Sequence, residues 1–228
     1  MDTQKLLRSL TVNPGILIPH IDAYQDRGEF PDEWVIRIDN TKTHDDDLFH
    51  PSTDAFTKPK ELYMQKVGLL KSPPITHTQV RVFSTGHFCH AMYGQALVEM
   101  GFVKEENVER QYHVTITGKH GEANCRGTID LGWVQIPGHG EWLVDMKTMN
   151  KRQFEAGATP GLLKKWNAQV NIYGDWIDLD QMLILAIEKD YPHRLREYVV
   201  QKDNDILEEI YDRWSLVADH VKRGVAPE

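Results

Sequence analysis

The chain has 228 residues, 40% apolar and 26% charged, which suits a soluble globular protein of one good-sized domain or a core with an appended N-terminal segment. No run approaches the roughly 18 apolar residues of a membrane span, and the start, MDTQKLLRSL, lacks the apolar core of a secretory signal, so a cytosolic protein is expected. A formal net charge of −8 excludes a surface coated in basic residues, but an acidic metal site and a local basic groove can coexist within it.

The first 80 or so residues read as irregular, with prolines at 14, 19, 31, 51, 59, 73 and 74 and an acidic run at 44 to 47. Within them WVIRI (34 to 38) alternates like a short strand, and KPKELYMQKVGLL (58 to 70) reads as a helix. Ser84 or Thr85 is placed to cap a helix that runs through Met100, with Gly101 closing it. QYHVTIT (111 to 117) alternates as a strand and ends in the turn-prone GKHGE. CRGTIDLGWVQI follows as a second strand, and the PGHG turn leads into GEWLVDMKTMN (140 to 150) as a third. GLLKKWNAQVNIYGDWI (161 to 177) is an amphipathic helix with Leu162, Trp166, Gln169, Tyr173 and Trp176 on one stripe. QMLILAI (181 to 187) and REYVV (196 to 200) read as strands, and the chain closes on a helix that turns Leu207, Ile210, Trp214, Val217 and Val221 inward. The expected fold is therefore α/β or α+β, a central mixed sheet flanked by helices, with residues 1–80 as an N-terminal extension and 81–228 as the core.

Chemistry gathers on the third strand. Alternation turns Asp145 and Lys147 to one face while Val144 and Met146 take the other. Two charges among apolar neighbours are either an ion pair at a strand end or a site that uses them. If the second and third strands pair through the PGHG turn, Asp130 stands beside Asp145. Converging carboxylates repel and call for a cation, and hard ions such as magnesium prefer such oxygen ligands. His90 shares a helix face with Tyr93, Gly94 and Leu97, which should face the sheet; it is a core histidine or a ligand. Gln169 and Tyr173 lie one turn apart as a polar pair within an apolar stripe, either a core hydrogen bond or a substrate contact.

In order, these residues form G-x-x-x-H (Gly86 to His90), G-x-x-D (Gly127 to Asp130), D-x-K (Asp145 to Lys147) and Q-x-x-x-Y (Gln169 to Tyr173). That series resembles the PD-(D/E)XK nucleases, in particular their RecB-like and phage-exonuclease branch, and FHPSTDAFTKPKELYM (49 to 64) is similar to the N-terminal entrance helix of those enzymes. The resemblance covers roughly residues 49 to 190. It implies a restriction-endonuclease-like core and a Mg²⁺- or Mn²⁺-dependent deoxyribonuclease, most simply an exonuclease of phage or bacterial DNA recombination or repair. A structure-selective endonuclease and a catalytically inactive DNA-binding module are the alternatives. His90, Asp130, Asp145 and the Met146 carbonyl would hold the metal, Lys147 would orient or deprotonate the attacking water, and Gln169 and Tyr173 would fix the scissile phosphate. The iron–sulfur members of this family need four cysteines; Cys89 and Cys125 are only two, so no cluster is expected. Expected partners are single- or double-stranded DNA, a recombination or annealing protein, and further copies of the chain in a homo-oligomer. Lys151 and Arg152 after the third strand, with Lys164 and Lys165, face Lys58, Lys60 and Lys66 across the motifs as candidate groove walls. Phe154 and Trp166 are the aromatic residues nearest to hand for stacking.

Overall fold

The computed structural model describes residues 10–11, 15–28, 47–71, 73, 76–190 and 193–228. The expected strand at 34 to 38 lies outside them. Six strands form one mixed sheet in the order β1-β6-β5-β4-β3-β2, where β1 is Leu10–Thr11, β2 Val108–Gly118, β3 Gly121–Ile136, β4 Gly140–Met149, β5 Met182–Glu188 and β6 Leu195–Val200. β2, β3 and β4 form an antiparallel meander, β4 and β5 pair in parallel, and β5 and β6 pair antiparallel. The parallel step needs a crossover, supplied by α5 (Lys151–Ala156) and α6 (Pro160–Ile177). The remaining helices are α1 (Ile18–Gln25), α2 (Pro51–Asp54), α3 (Pro59–Lys66), α4 (His77–Glu99) and α7 (Asn204–Arg223). This is the mixed sheet between helical layers that the sequence leads one to expect.

Two layers cover the sheet. On one face Tyr93 and Leu97 of α4 and Ile21 of α1 pack on Leu131, Val144, Met146 and Leu185. On the other, Trp166, Val170 and Tyr173 of α6 pack on Ile129, Leu143, Met149 and Ile184. β5 is buried along its whole length, as a strand covered on both faces should be. α1 is tied to the sheet by Glu197, a 1% exposed carboxylate on β6 that accepts the backbone N–H groups of Gly15, Ile16, Leu17 and Ile18. Such a charge complements the orphan donors and positive end of a helix N-terminus.

Two sequence expectations change. The cap of α4 lies eight residues before Ser84: Thr76 caps it in a reciprocal box with Gln79, while the Ser84 and Thr85 hydroxyls lie inside the helix and donate to the carbonyls of Val80 and Arg81. Lys66, expected on a groove wall, points inward. Its ammonium lies 2.9 Å from Asp54, donates to the Leu48 carbonyl at 2.6 Å and sits over the Phe49 ring. Phe49 stacks on Trp214 of α7 and the Trp214 indole donates to the Asp54 carbonyl, so this segment shares a core with the C-terminal helix. No helix among the described residues is long and apolar enough to cross a membrane.

Removing one partner from a buried ion pair leaves the other charge unpaired. Lys66→Ala is expected to lower unfolding free energy by about 3 kcal/mol in urea denaturation. Loss of DNA binding without loss of stability would place Lys66 on the surface instead.

Candidate active site

The site is a fork in the sheet. β3 and β4 pair from Ile136 and Gly140 as far as Leu131 and Val144, with a bulge between Leu131 and Val134 where Trp133 takes a φ of 52°. Continuing that register would set Asp130 opposite Asp145, but the ladder stops there while both strands run on. The freed Met146 N–H is satisfied by a side chain: Asp130 Oδ2 accepts it at 2.7 Å. Alternation turns Asp145 and Lys147 toward α6, and Asp130 reaches across toward α4.

Two motif glycines allow the helices to close on this fork. A Cβ on Gly127 would stand 2.7 Å from Tyr173 Cε1 and 3.0 Å from the Trp176 ring, so α6 lies against β3 only because that position is bare. A Cβ on Gly86 would meet Thr148 Oγ1 at 3.2 Å, which marks where α4 crosses the end of β4. One turn later on α4, His90 Nδ1 lies 3.7 Å from Asp130 Oδ1.

The same nitrogen lies 3.3 Å from Glu109 Oε1, a partner absent from the sequence reading. Ligand atoms of His90, Glu109 and Asp130 all fall within 4.8 Å of one another, the one such grouping of metal-ligating side chains found among the described residues. Asp145 falls outside it. The metal set expected from the sequence (His90, Asp130, Asp145, Met146) is thus divided. His90 and Asp130 meet Glu109 on the α4 side, and Asp145 sits with Lys147 on the α6 side. Glu109 has a φ of 50°, a left-handed conformation disfavoured for glutamate, and its neighbours pair with Leu131 and Ile129, which brackets it opposite Asp130. Gly118 pairs with Gly121, so counting back from that two-residue turn leads from Asp130 to Glu109. The signal was in the sequence, and it required fixing the hairpin register first.

Electrostatically the site is a knot of compensated charges. Asp145 is 1% exposed; its Oδ2 is paired with the Lys147 ammonium, 2.6 Å away, while Oδ1 accepts no hydrogen bond. Burial pushes its pKa up to about 6, with Lys147 opposing and Asp130 adding to the rise. Burial works against the charged form of Lys147, but Asp145 and Asp130 outweigh it and raise its pKa. His90 follows the same pattern: burial lowers its pKa, Asp130 and Glu109 more than reverse that, and the net shift is upward. Gln169 Nε2 donates to Tyr173 Oη at 3.3 Å, and burial followed by the nearby Asp145 pushes the phenol's pKa well above its usual range. The polar pair thus lies at the α6 wall of the fork.

A buried carboxylate with one unfilled oxygen, beside two further carboxylates and an imidazole, is a donor set that fits a hard or borderline divalent ion. The expected stacking residues do not fit their role. Phe154 is 4% exposed and lies beneath Arg194 and Arg196, and Trp166 is buried against Tyr198. Lys164 sits over the Phe56 ring, whereas Lys151 and Arg152 are exposed in the first turn of α5, directly after β4.

No protein-family model matches this chain, and neither does any curated protein. Three solved structures resemble it in overall course. SSO0001 is 14% identical at a TM-score of 0.47, covering 92% of this chain and 86% of its own. An exonuclease candidate from Eubacterium rectale is 12% identical at 0.49, over 84% and 89%. The alkaline exonuclease LHK-Exo from Laribacter hongkongensis is 11% identical at 0.44, over 78% and 90%. The chemistry of the site rests on its own distances.

If the cluster takes a divalent ion, millimolar Mn²⁺ should raise the melting temperature, since ligand at 100 times its Kd stabilises by about 2.7 kcal/mol. Asp130→Asn should abolish that rise in the same thermal scan. A rise that persists in the variant would put the ion elsewhere.

Proposed function

We propose that the protein is a divalent-cation-dependent deoxyribonuclease of the PD-(D/E)XK type, most simply an exonuclease acting in phage or bacterial DNA recombination or repair. The observation that carries this reading is the fork itself: His90, Asp130, Asp145, Lys147, Gln169 and Tyr173 come from four separate elements and converge where one strand pair opens. A structural ion pair needs no glycine-permitted helix on either side, no third carboxylate and no imidazole.

In this reading Asp130 and Asp145 hold the cation from the two sides of the fork, with His90 and Glu109 beside Asp130. A bound Mg²⁺ or Mn²⁺ supplies Lewis acidity, lowering the pKa of bound water and neutralising phosphoryl oxygens. The reaction adds a water oxygen to phosphorus and breaks the bond from phosphorus to the bridging oxygen, which leaves with a proton as a sugar hydroxyl. Lys147 faces the same phosphate as Asp145 and offsets the negative charge that grows on the phosphoryl oxygens. Asp145 keeps that ammonium in place, and Gln169 and Tyr173 donate toward the phosphate from α6. Lys151 and Arg152, exposed just past the D-x-K strand, extend positive charge along the DNA backbone.

Lys147→Ala is expected to reduce Mg²⁺-dependent cleavage of labelled DNA by on the order of 100-fold or more while leaving the fold intact. Near-normal turnover in the purified variant would overturn the assignment. In that inactive background, changing both Lys151 and Arg152 to Ala should weaken DNA binding. The logarithmic salt dependence should flatten by roughly one to two units, as each phosphate contact contributes somewhat under one. An unchanged slope would put the DNA path elsewhere.

A further inference from the structure

One stripe of α4 changes its surroundings along its length. Leu97 and Gly94 are buried in the core and His90 stands at the fork. Continuing toward the N-terminus at helical spacing, the stripe reaches His87, Phe83 and Val80. From His77 to Thr85 every residue is exposed; Phe83 and Val80 are each 51% exposed. The capping box at Thr76 and Gln79 keeps this stretch helical although it lies outside the core. An apolar face that continues a core stripe past a reactive centre into solvent is a contact surface for something held at that centre.

Charge identifies the partner. The chain has 34 acidic residues among 228, yet α4 carries no aspartate or glutamate from His77 to Val98, while Arg81 lies in its exposed half. In an acidic protein this is a surface matched to a polyanion with apolar faces. Phe83 lies about 10 Å along the helix from His90, at 1.5 Å per residue, so its ring is within reach of the nucleotides that flank a phosphate in the fork.

Resting on the nuclease reading above, we propose that the free N-terminal half of α4 is a stacking platform for unpaired bases, with Phe83 as its principal contact. A base inside a duplex has both faces covered by its neighbours. The platform therefore selects a single-stranded or frayed end, which bears on the substrate class and not on the chemistry at the metal site. Stacking on an aromatic ring tolerates any base, as an exonuclease that reads through sequence requires.

The test uses the full chain in the inactive Lys147→Ala background, with Mg²⁺, a fluorescent single-stranded oligonucleotide and a blunt duplex. Phe83→Ala should weaken single-strand binding by about tenfold or more, with little change for the duplex. Phe83→Trp should retain affinity, and its indole fluorescence should be quenched by the single strand. Since Phe83 is exposed, both variants should melt as the parent does. If Phe83→Ala binds both DNAs as the parent does, the platform is wrong and the nuclease reading stands. If the parent binds neither DNA, the nuclease reading fails, and the platform with it. Dispersal of an oligomer by Phe83→Ala in light scattering would show that a second copy covers this face, and would overturn the proposal.

Discussion

The site depends on a sheet that stops pairing. An unmade ladder inside a core would leave backbone donors unsatisfied, which is costly. Here the gap between β3 and β4 is held open by Asp130, which accepts the Met146 N–H. The same carboxylate thus replaces a missing backbone acceptor and turns its other oxygen toward His90. A side chain locked by a backbone hydrogen bond does not wander, so the ligand geometry is fixed by the same bond that keeps the fork from closing.

Because the fork opens the sheet edgewise, the site draws on both helical layers. Strand alternation sends Asp145 and Lys147 to the α6 face, and the β2–β3 register brings Glu109 to Asp130 beneath α4. Each charge is compensated by a neighbour of opposite sign, but with the wrong stoichiometry for comfort: three carboxylates against one ammonium and one imidazole. Asp145 carries the imbalance most visibly, buried with one oxygen on Lys147 and the other accepting no hydrogen bond. A site that stores unmet electrostatic demand in its resting state is one that gains free energy when a cation arrives.

The fold was largely legible from the sequence because its elements are amphipathic in the ordinary way: β4, β5 and the C-terminal helix lie within a residue or two of where periodicity puts them. The start of α4 was not. Ser84 and Thr85 look like caps, and only the pair Thr76 and Gln79, eight residues upstream and outside any apolar stripe, tells where the helix begins. His90, Asp130, Asp145 and Lys147 were legible as motif residues. Their division into two groups was not, because it depends on where a ladder ends and a bulge falls. Lys66 and Phe154 misled for a common reason. A lysine or an aromatic in an irregular or helical stretch reads as surface when its burial partners, Asp54 in one case and Arg194 and Arg196 in the other, lie on a different element that no local pattern ties to it.

A helix that only supplied His90 and its packing face could end near Gly86, where it leaves the sheet. Nine further residues cost backbone entropy without the burial that usually repays it. They are retained in helical form by a cap, lack acids in an acidic chain and show two apolar side chains to solvent on the face that bears the ligand. Core, fork and free surface are three consecutive segments of one stripe. The exposed half of α4, with Arg81 and no acid, is therefore set at a fixed angle to the fork by the rigidity of a single helix.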